Sequence, residues 1–246
     1  MPLTPSHANL NQLMGSLRTS GTMSRSQERR LATLPFITIS RQAGTGGSVF
    51  GHLLAQRLNH MLEPEAQRHP WTCLNRELVE RIAADHHLSA DLIASLEHSS
   101  HSWIAEFFHG LSHSDTGTPS EMAIFRRVVQ TVRGLAATGH VILVGLGSVF
   151  ITRDIPAAIH VRIIAPFNWR VENFARTEAL SLDQAREKIQ LLDNVRQAFI
   201  QKFFPNRWLT PEIFHMTLNA GVMTDEQMSA AVGALAISPA ASASPH

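Results

Sequence analysis

Cysteine is almost absent. The 246-residue chain has one, Cys73, so no intrachain disulfide framework holds it together. That suits a reducing, cytoplasmic setting, and Cys73 reads as a small buried apolar residue at a strand end. Long apolar runs are missing too. None approaches the roughly 20 residues of a membrane-spanning helix, so no membrane partner is expected. Neither sign of charge is in excess: Lys+Arg number 21 and Asp+Glu 20, for a net +1. That balance does not demand nucleic acid as a partner. The chain is 44% apolar, enough for a sizeable core in one large domain or two small ones.

The two ends differ from the middle. Residues 1–33 are rich in Ser, Thr, Asn, Gln and Arg, with Arg18, Arg25, Arg29 and Arg30 against a single acid, Glu28. No apolar h-region is present, so this is not a secretory signal. An organelle transit peptide has a similar composition, but a disordered basic tail explains it more simply. Residues 237–246 are rich in Ala, Ser and Pro and read as a second disordered tail. Residues 34–236 form the folded domain.

That domain is organised around Phe36–Gly51. The β-branched residues Ile37, Thr38 and Ile39 predict a buried strand. Gly44, Gly46 and Gly47 follow, and then Val49, Phe50, Leu53, Leu54 and Leu58 recur at helical spacing. A strand, a glycine loop and a helix N-terminus direct several N–H groups at one point, which suits phosphate. What the loop lacks is the lysine of a Walker motif. Gly47 is followed by Ser48 and Val49, and the nearest cation, Arg41, precedes the loop. A tight strand-to-helix turn with no ligand would use the same glycines.

Further along, Trp71–Leu74 predicts a second strand, and Asn75 caps a helix over 76–84. Ser89 caps another at 90–97. The segment 98–118 holds His98, His101, His109 and His113 among Trp103, Phe107 and Phe108. His109 and His113 would share a helix face, yet no acid completes a zinc-type pattern. The pattern predicts an amphipathic lid helix with exposed histidines. Ser120 caps a long helix to Thr138, with Gly139 as its stop. The run from His140 to Gly145, apolar on both sides, fits a central parallel strand. Strands over Ala157–Ile164 and His215–Asn219 follow. Between them lie helices opened by Pro166 and capped by Ser181, the second ended by Pro205, and Thr224 caps a last helix. About five strands separated by helices predict a three-layer α/β/α domain with a five-stranded parallel sheet. Its ligands would sit at the strands' carboxyl ends, where residues 40–48, Asn75 and 145–148 converge.

These segments, in this order, resemble the cytidylate kinase-like proteins of the P-loop nucleoside monophosphate kinase group, over roughly residues 35–235. The resemblance rests on Ile37–Gly47, a glycine loop that in the family also lacks the Walker lysine and carries the Ser40-Arg41 pair. It rests further on 75–83, Val141–Gly147, His160–Pro166, Asp193–Arg196 and Lys202–Phe204. It implies a P-loop NTPase-like fold with a helical lid at about 166–204. It also implies transfer of the γ-phosphoryl group of ATP, with Mg2+, to a nucleoside monophosphate such as CMP. A small-molecule nucleotide is then the partner. Gly44, Thr45, Gly46, Gly47 and Ser48 would hold the donor phosphates, with Ser48 also a candidate for Mg2+. Arg170, Arg176 and Arg196 would close over them, since guanidinium forks match phosphate oxygens. Asp193 would orient Arg196, Arg41 would partly replace the lysine, and Asn75, Arg76, Gly145 and Gly147 would line the acceptor side. Taken alone, each arginine also fits a solvated helix face.

The chain departs from the family pattern on the acceptor side. Asn75 stands where the family usually has aspartate, and Leu146 where it has arginine between two glycines. Phe214-His215 replaces Tyr-Asp, and Asn219-Ala220 replaces Asn-Thr. Losing a charged partner for a buried phosphate costs on the order of 2–5 kcal/mol. The expectation is therefore a kinase of CMP or a related small phosphate acceptor, with a catalytically weak nucleotide sensor as the alternative.

Overall fold

The computed structural model describes residues 34–61, 70–75 and 121–237. The two tails, Arg76, the helices expected after Asn75 and Ser89, the cap at Ser120 and the histidine-rich segment lie outside these residues.

Five parallel strands form one sheet: β1 (Phe36–Arg41), β2 (Thr72–Leu74), β3 (Val141–Val144), β4 (Ala158–Ile164) and β5 (Met216–Asn219), in the order β2-β3-β1-β4-β5. The strand that feeds the glycine loop is therefore central, with Ile39 opposite Val144 on one side and Val161 on the other. Both its faces are buried. Ile37 and Ile39 pack with Phe50, Leu54 and Leu58 of α1 (Gly47–Met61) and with Met228 and Val232 of α6 (Asp225–Ala236). Phe36 faces the other layer, with Val132, Leu135 and Ala136 of α2 (Glu121–Thr138) and Ile151 of the short α3 (Ser148–Ile151). Apolar side chains on alternate faces explain why these runs form strands covered on both sides.

Helix ends follow local chemistry. Gly139, at φ 68°, stops α2. Pro166 precedes α4 (Phe167–Glu178), which closes with Ala179 at φ 53°. Ser181 opens α5 (Leu182–Phe203) with a capping box, its hydroxyl accepting from Gln184 N–H, and Thr224 does the same for α6 through Gln227. The α4–α5 pair packs on the glycine loop itself: Ala43 shares a small core with Val171, Phe174, Ala185 and Ile189. Two elements carry no strong sequence signal, α3 and the 3-10 turn Pro211–Ile213. Each is a single turn, too short for a hydrophobic period to register.

Candidate active site at the glycine loop

The loop leaves β1 at Gln42 and enters α1 at Gly47. Four of its carbonyl oxygens are turned toward protein donors. Gln42 O accepts from the Thr45 hydroxyl at 2.9 Å, Ala43 O from Arg170 Nη1 at 3.1 Å, and Gly44 O from Asn173 Nδ2 at 2.8 Å. Gly46 O accepts from Phe50 N–H at 3.0 Å. The N–H groups of Gly44, Thr45, Gly46, Gly47, Ser48 and Val49 have no acceptor among the described residues. A loop whose acceptors are satisfied from behind and whose donors remain open at a helix N-terminus is an anion site. The conformation depends on glycine: Gly44 and Gly46 sit at φ 78° and 73°. A Cβ on Gly44 would also stand 2.6 Å from the Arg170 carbonyl.

The back of the loop is pinned by α4 and α5. Asp193 accepts the Ala43 N–H on Oδ1 at 2.8 Å and pairs through Oδ2 with Arg170 Nη1 at 2.5 Å. The Arg170 side chain is only 8% accessible and lies over the Phe167 ring. This changes the expected arginine lid. Arg170 is turned to the back of the loop, where its Nη1 holds the Ala43 carbonyl and Asp193 while its Nε is buried without a partner. Arg176 is exposed and donates to Asn173 Oδ1, beside rather than over the loop. Asp193 stands 3.9 Å from Arg196 Nη1, a looser contact than those it makes with Arg170 and Ala43. Arg196 alone of the three reaches forward: its Nη1 lies 3.5 Å from the Arg41 carbonyl, and its Nε is buried without a partner. Burial lowers its pKa first, Asp193 counters this, and Arg170 adds to it.

Arg41 is the second forward cation. Burial, and after it the Arg196 charge, brings its pKa down to about 9, against a smaller opposing effect of Cys73. Its guanidinium packs against Gly145, the first of three consecutive left-handed residues, with Leu146 at φ 57° and Gly147 at 67°. Gly145 N–H donates to Ile39 O at 3.0 Å, which ties this turn to the end of β1. Leu146 packs into the α2–α3 core layer, and Gly147 admits the Phe204 ring. Asn75 directly follows β2, partly buried. Ser48, partly buried in the first turn of α1, is the side chain that suits Mg2+, which takes most of its oxygens from phosphates and water. Among the described residues no group of three His, Cys, Asp or Glu could hold a metal.

The glycine loop, Ser48, Arg41, Arg196, Gly145 and Asn75 thus lie at the carboxyl ends of β1, β2 and β3 or just past them. Gln42 and Asn173 were not expected to matter. Gln42 Oε1 accepts from Ala165 N–H at 3.0 Å and so locks the loop's first residue to the end of β4. Asn173, three residues after Arg170, could have been found from helical spacing.

The model of the cytidylate kinase-like family matches residues 36–222. No curated protein matches the chain. Among solved structures, an uncharacterized protein from Eubacterium ventriosum superposes with a TM-score of 0.56 at 17% identity, covering 81% of this chain and 96% of that one. A shikimate kinase from Acinetobacter baumannii, in complex with shikimate, gives a TM-score of 0.44 at 15% identity over 83% of this chain and 94% of that one. The first of these shares the α/β fold of this chain. Among the described residues no helix is long and apolar enough to cross a membrane.

Proposed function

The chain belongs to the cytidylate kinase-like family, and from that membership we propose that it transfers the γ-phosphoryl group of ATP to a nucleoside monophosphate or a related small phosphate acceptor. The observation that carries this reading is the loop with open N–H donors and satisfied carbonyls. Such a surface selects a multiply charged anion over a neutral ligand. The N–H groups from Gly44 to Ser48 bind the donor phosphates, and the Ser48 hydroxyl takes a position on Mg2+. Mg2+ held through Ser48 would neutralise phosphate charge there. Arg41 and Arg196 supply cations in front of the loop. Arg170 and Asp193 act through the loop, by holding both backbone groups of Ala43. Phosphoryl transfer needs positioning and charge more than covalent help, and these residues provide both.

The acceptor enters at the ends of β2 and β3, beside Asn75, Gly145 and Gly147. Leu146 favours a second reading, a nucleotide-binding protein without turnover. Its side chain is partly buried against the core and offers no charge where the family has arginine. The test is an ADP-release assay with Mg2+ and ATP against each nucleoside monophosphate, alongside calorimetric titration of ATP. Stimulated release by one monophosphate is the expected result and names the acceptor. ATP binding with no stimulated release would replace the kinase with the sensor.

A further inference from the structure

Away from the phosphate end of the glycine loop, α1 and α6 lie side by side on one face of the sheet. Their inner stripes, Phe50, Leu54 and Leu58 with Met228 and Val232, are buried in the core. Their outer surfaces enclose an open groove of about 500 Å3. The α1 wall of this groove is basic, with Arg57 and His60, and the α6 wall is acidic, with Asp225 and Glu226. Among the described residues no ion pair crosses from one wall to the other. The direction of Arg57 explains why. A Cβ on Gly233 would stand 3.8 Å from Arg57 Nε and 3.7 Å from Met61 Sδ. Gly233 lies roughly two turns, about 10 Å, beyond Glu226 along α6. Asp225, partly buried, is held above its ordinary pKa by burial first and by Glu226 second. The face is also apolar between its charges. Val49, Leu53, Gln56 and His60 recur at i, i+4, i+7 and i+11, one stripe of α1, and none of them is buried. Among the described residues seven large apolar side chains are exposed, and three of these, Val49, Met61 and Ile237, belong to α1 or the end of α6. Exposed apolar surface thus gathers beside separated charges of opposite sign.

A face with an apolar middle and a charged spot of each sign is its own complement. A two-fold axis lying in the face, midway between Arg57 and Glu226, exchanges the two spots, so both cross-contacts form together. We propose that the α1–α6 face docks a second copy of this chain, with Arg57 of each copy against Asp225 and Glu226 of the other. Nucleic acid or an anionic membrane would meet the two acids and be repelled. The helices are 15 and 12 residues long. At about 22 and 18 Å, they make a face on the order of 20 Å square. That falls short of the roughly 800 Å2 per partner of a stable complex, so the dimer is weak and reversible. This contact is independent of the kinase reading, because none of the residues assigned to the phosphates lines the groove.

Sedimentation equilibrium of the full chain, from about 10 μM to about 1 mM, tests the contact. Wild type is expected to pass from monomer to dimer over that range. Arg57→Glu and Glu226→Lys each set like charges against one another and should weaken the dimer by about tenfold or more. An equimolar mixture of the two variants is the decisive sample. In the mixed dimer every cross-contact again joins opposite charges, and association should return to within about threefold of wild type. Thermal melting of each variant alone separates a lost dimer from a lost fold. Arg57→Gln, which removes the charge without reversing it, should weaken the dimer less than Arg57→Glu. A wild type that stays monomeric at the highest concentration overturns the proposal and leaves the groove to a small zwitterionic ligand. Dimers that neither substitution weakens lie on another face and overturn it too. So does a mixture of folded variants that associates no more tightly than its components.

Discussion

His160 lies on the buried pair β1–β4, its Nδ1 2.7 Å from the Thr38 hydroxyl, and its backbone N–H donates to His215 Nδ1 at 3.0 Å. Burial, then the charges of His215 and Arg153, pushes its pKa down to about 4. The folded protein therefore refuses a proton that the unfolded chain accepts. Its contribution is complete above the unfolded value near pH 6.5 and is lost as pH falls toward 4, by on the order of 3 kcal/mol. Denaturant unfolding between pH 7 and 4 should show this slope. His160→Gln, which keeps a hydrogen-bond partner for Thr38, should flatten it, and an unchanged slope would assign the effect elsewhere. Asp193 matters at the same scale. Asp193→Asn leaves the Arg170 guanidinium buried without its counter-charge. Because Asp193 is itself 32% accessible, the cost should be about 3 kcal/mol, the low end for breaking a buried pair. A change in unfolding midpoint below a few tenths of that would mean water replaces the carboxylate.

Between elements, the closest approach in the site is the loop against α4. A Cβ on Gly44 would stand 2.6 Å from Arg170 O and 2.9 Å from Ile189 Cδ1, at a φ of 78°. Neither the backbone carbonyl nor the left-handed conformation yields cheaply. Gly44→Ala should cost at least about 2 kcal/mol and weaken ATP–Mg2+ binding, read by thermal melting and calorimetry. Helix caps set a smaller scale. Ser181→Ala removes the hydroxyl that accepts from Gln184 N–H at 3.2 Å and should cost about 1 kcal/mol. It should leave nucleotide affinity unchanged, since Ser181 opens α5 far along the helix from Asp193 and Arg196.

For the whole molecule, stability and ligand binding are linked through the loop. If the open N–H groups of residues 44–49 bind the donor phosphates, ATP–Mg2+ at about 100 times its dissociation constant should add about 2.7 kcal/mol. For a domain of this size that raises Tm by roughly 5–10 °C. A melt unmoved by ATP–Mg2+ would contradict the anion-site reading of the loop. The sheet order, with β1 between β3 and β4, brings the ends of β1, β2 and β3 together on one edge of the domain. That is where open α/β sheets carry ligands.

Most of the architecture was legible in the residues. β-branched runs marked β1, β3 and β4, because a strand buried on both faces must be apolar at every position. Ser181, Thr224, Gly139 and Pro166 marked helix ends, because orphan backbone groups there admit few residue types. Gly44 and Gly46 marked the loop, because φ near 75° is costly for anything larger. Tertiary structure decided which charges serve the site. Helical spacing places Arg170 and Asn173 on one face, and Asp193 and Arg196 on another, but it does not say how each helix is rotated about the core. Packing of Ala43 with Val171 and Ile189 set that rotation, turning Arg170 and Asp193 to the back of the loop. The direction of Arg41 was equally hidden. Its neighbour Gly145 lies more than a hundred residues away in sequence, and only the pairing of β1 with β3 brings the two together.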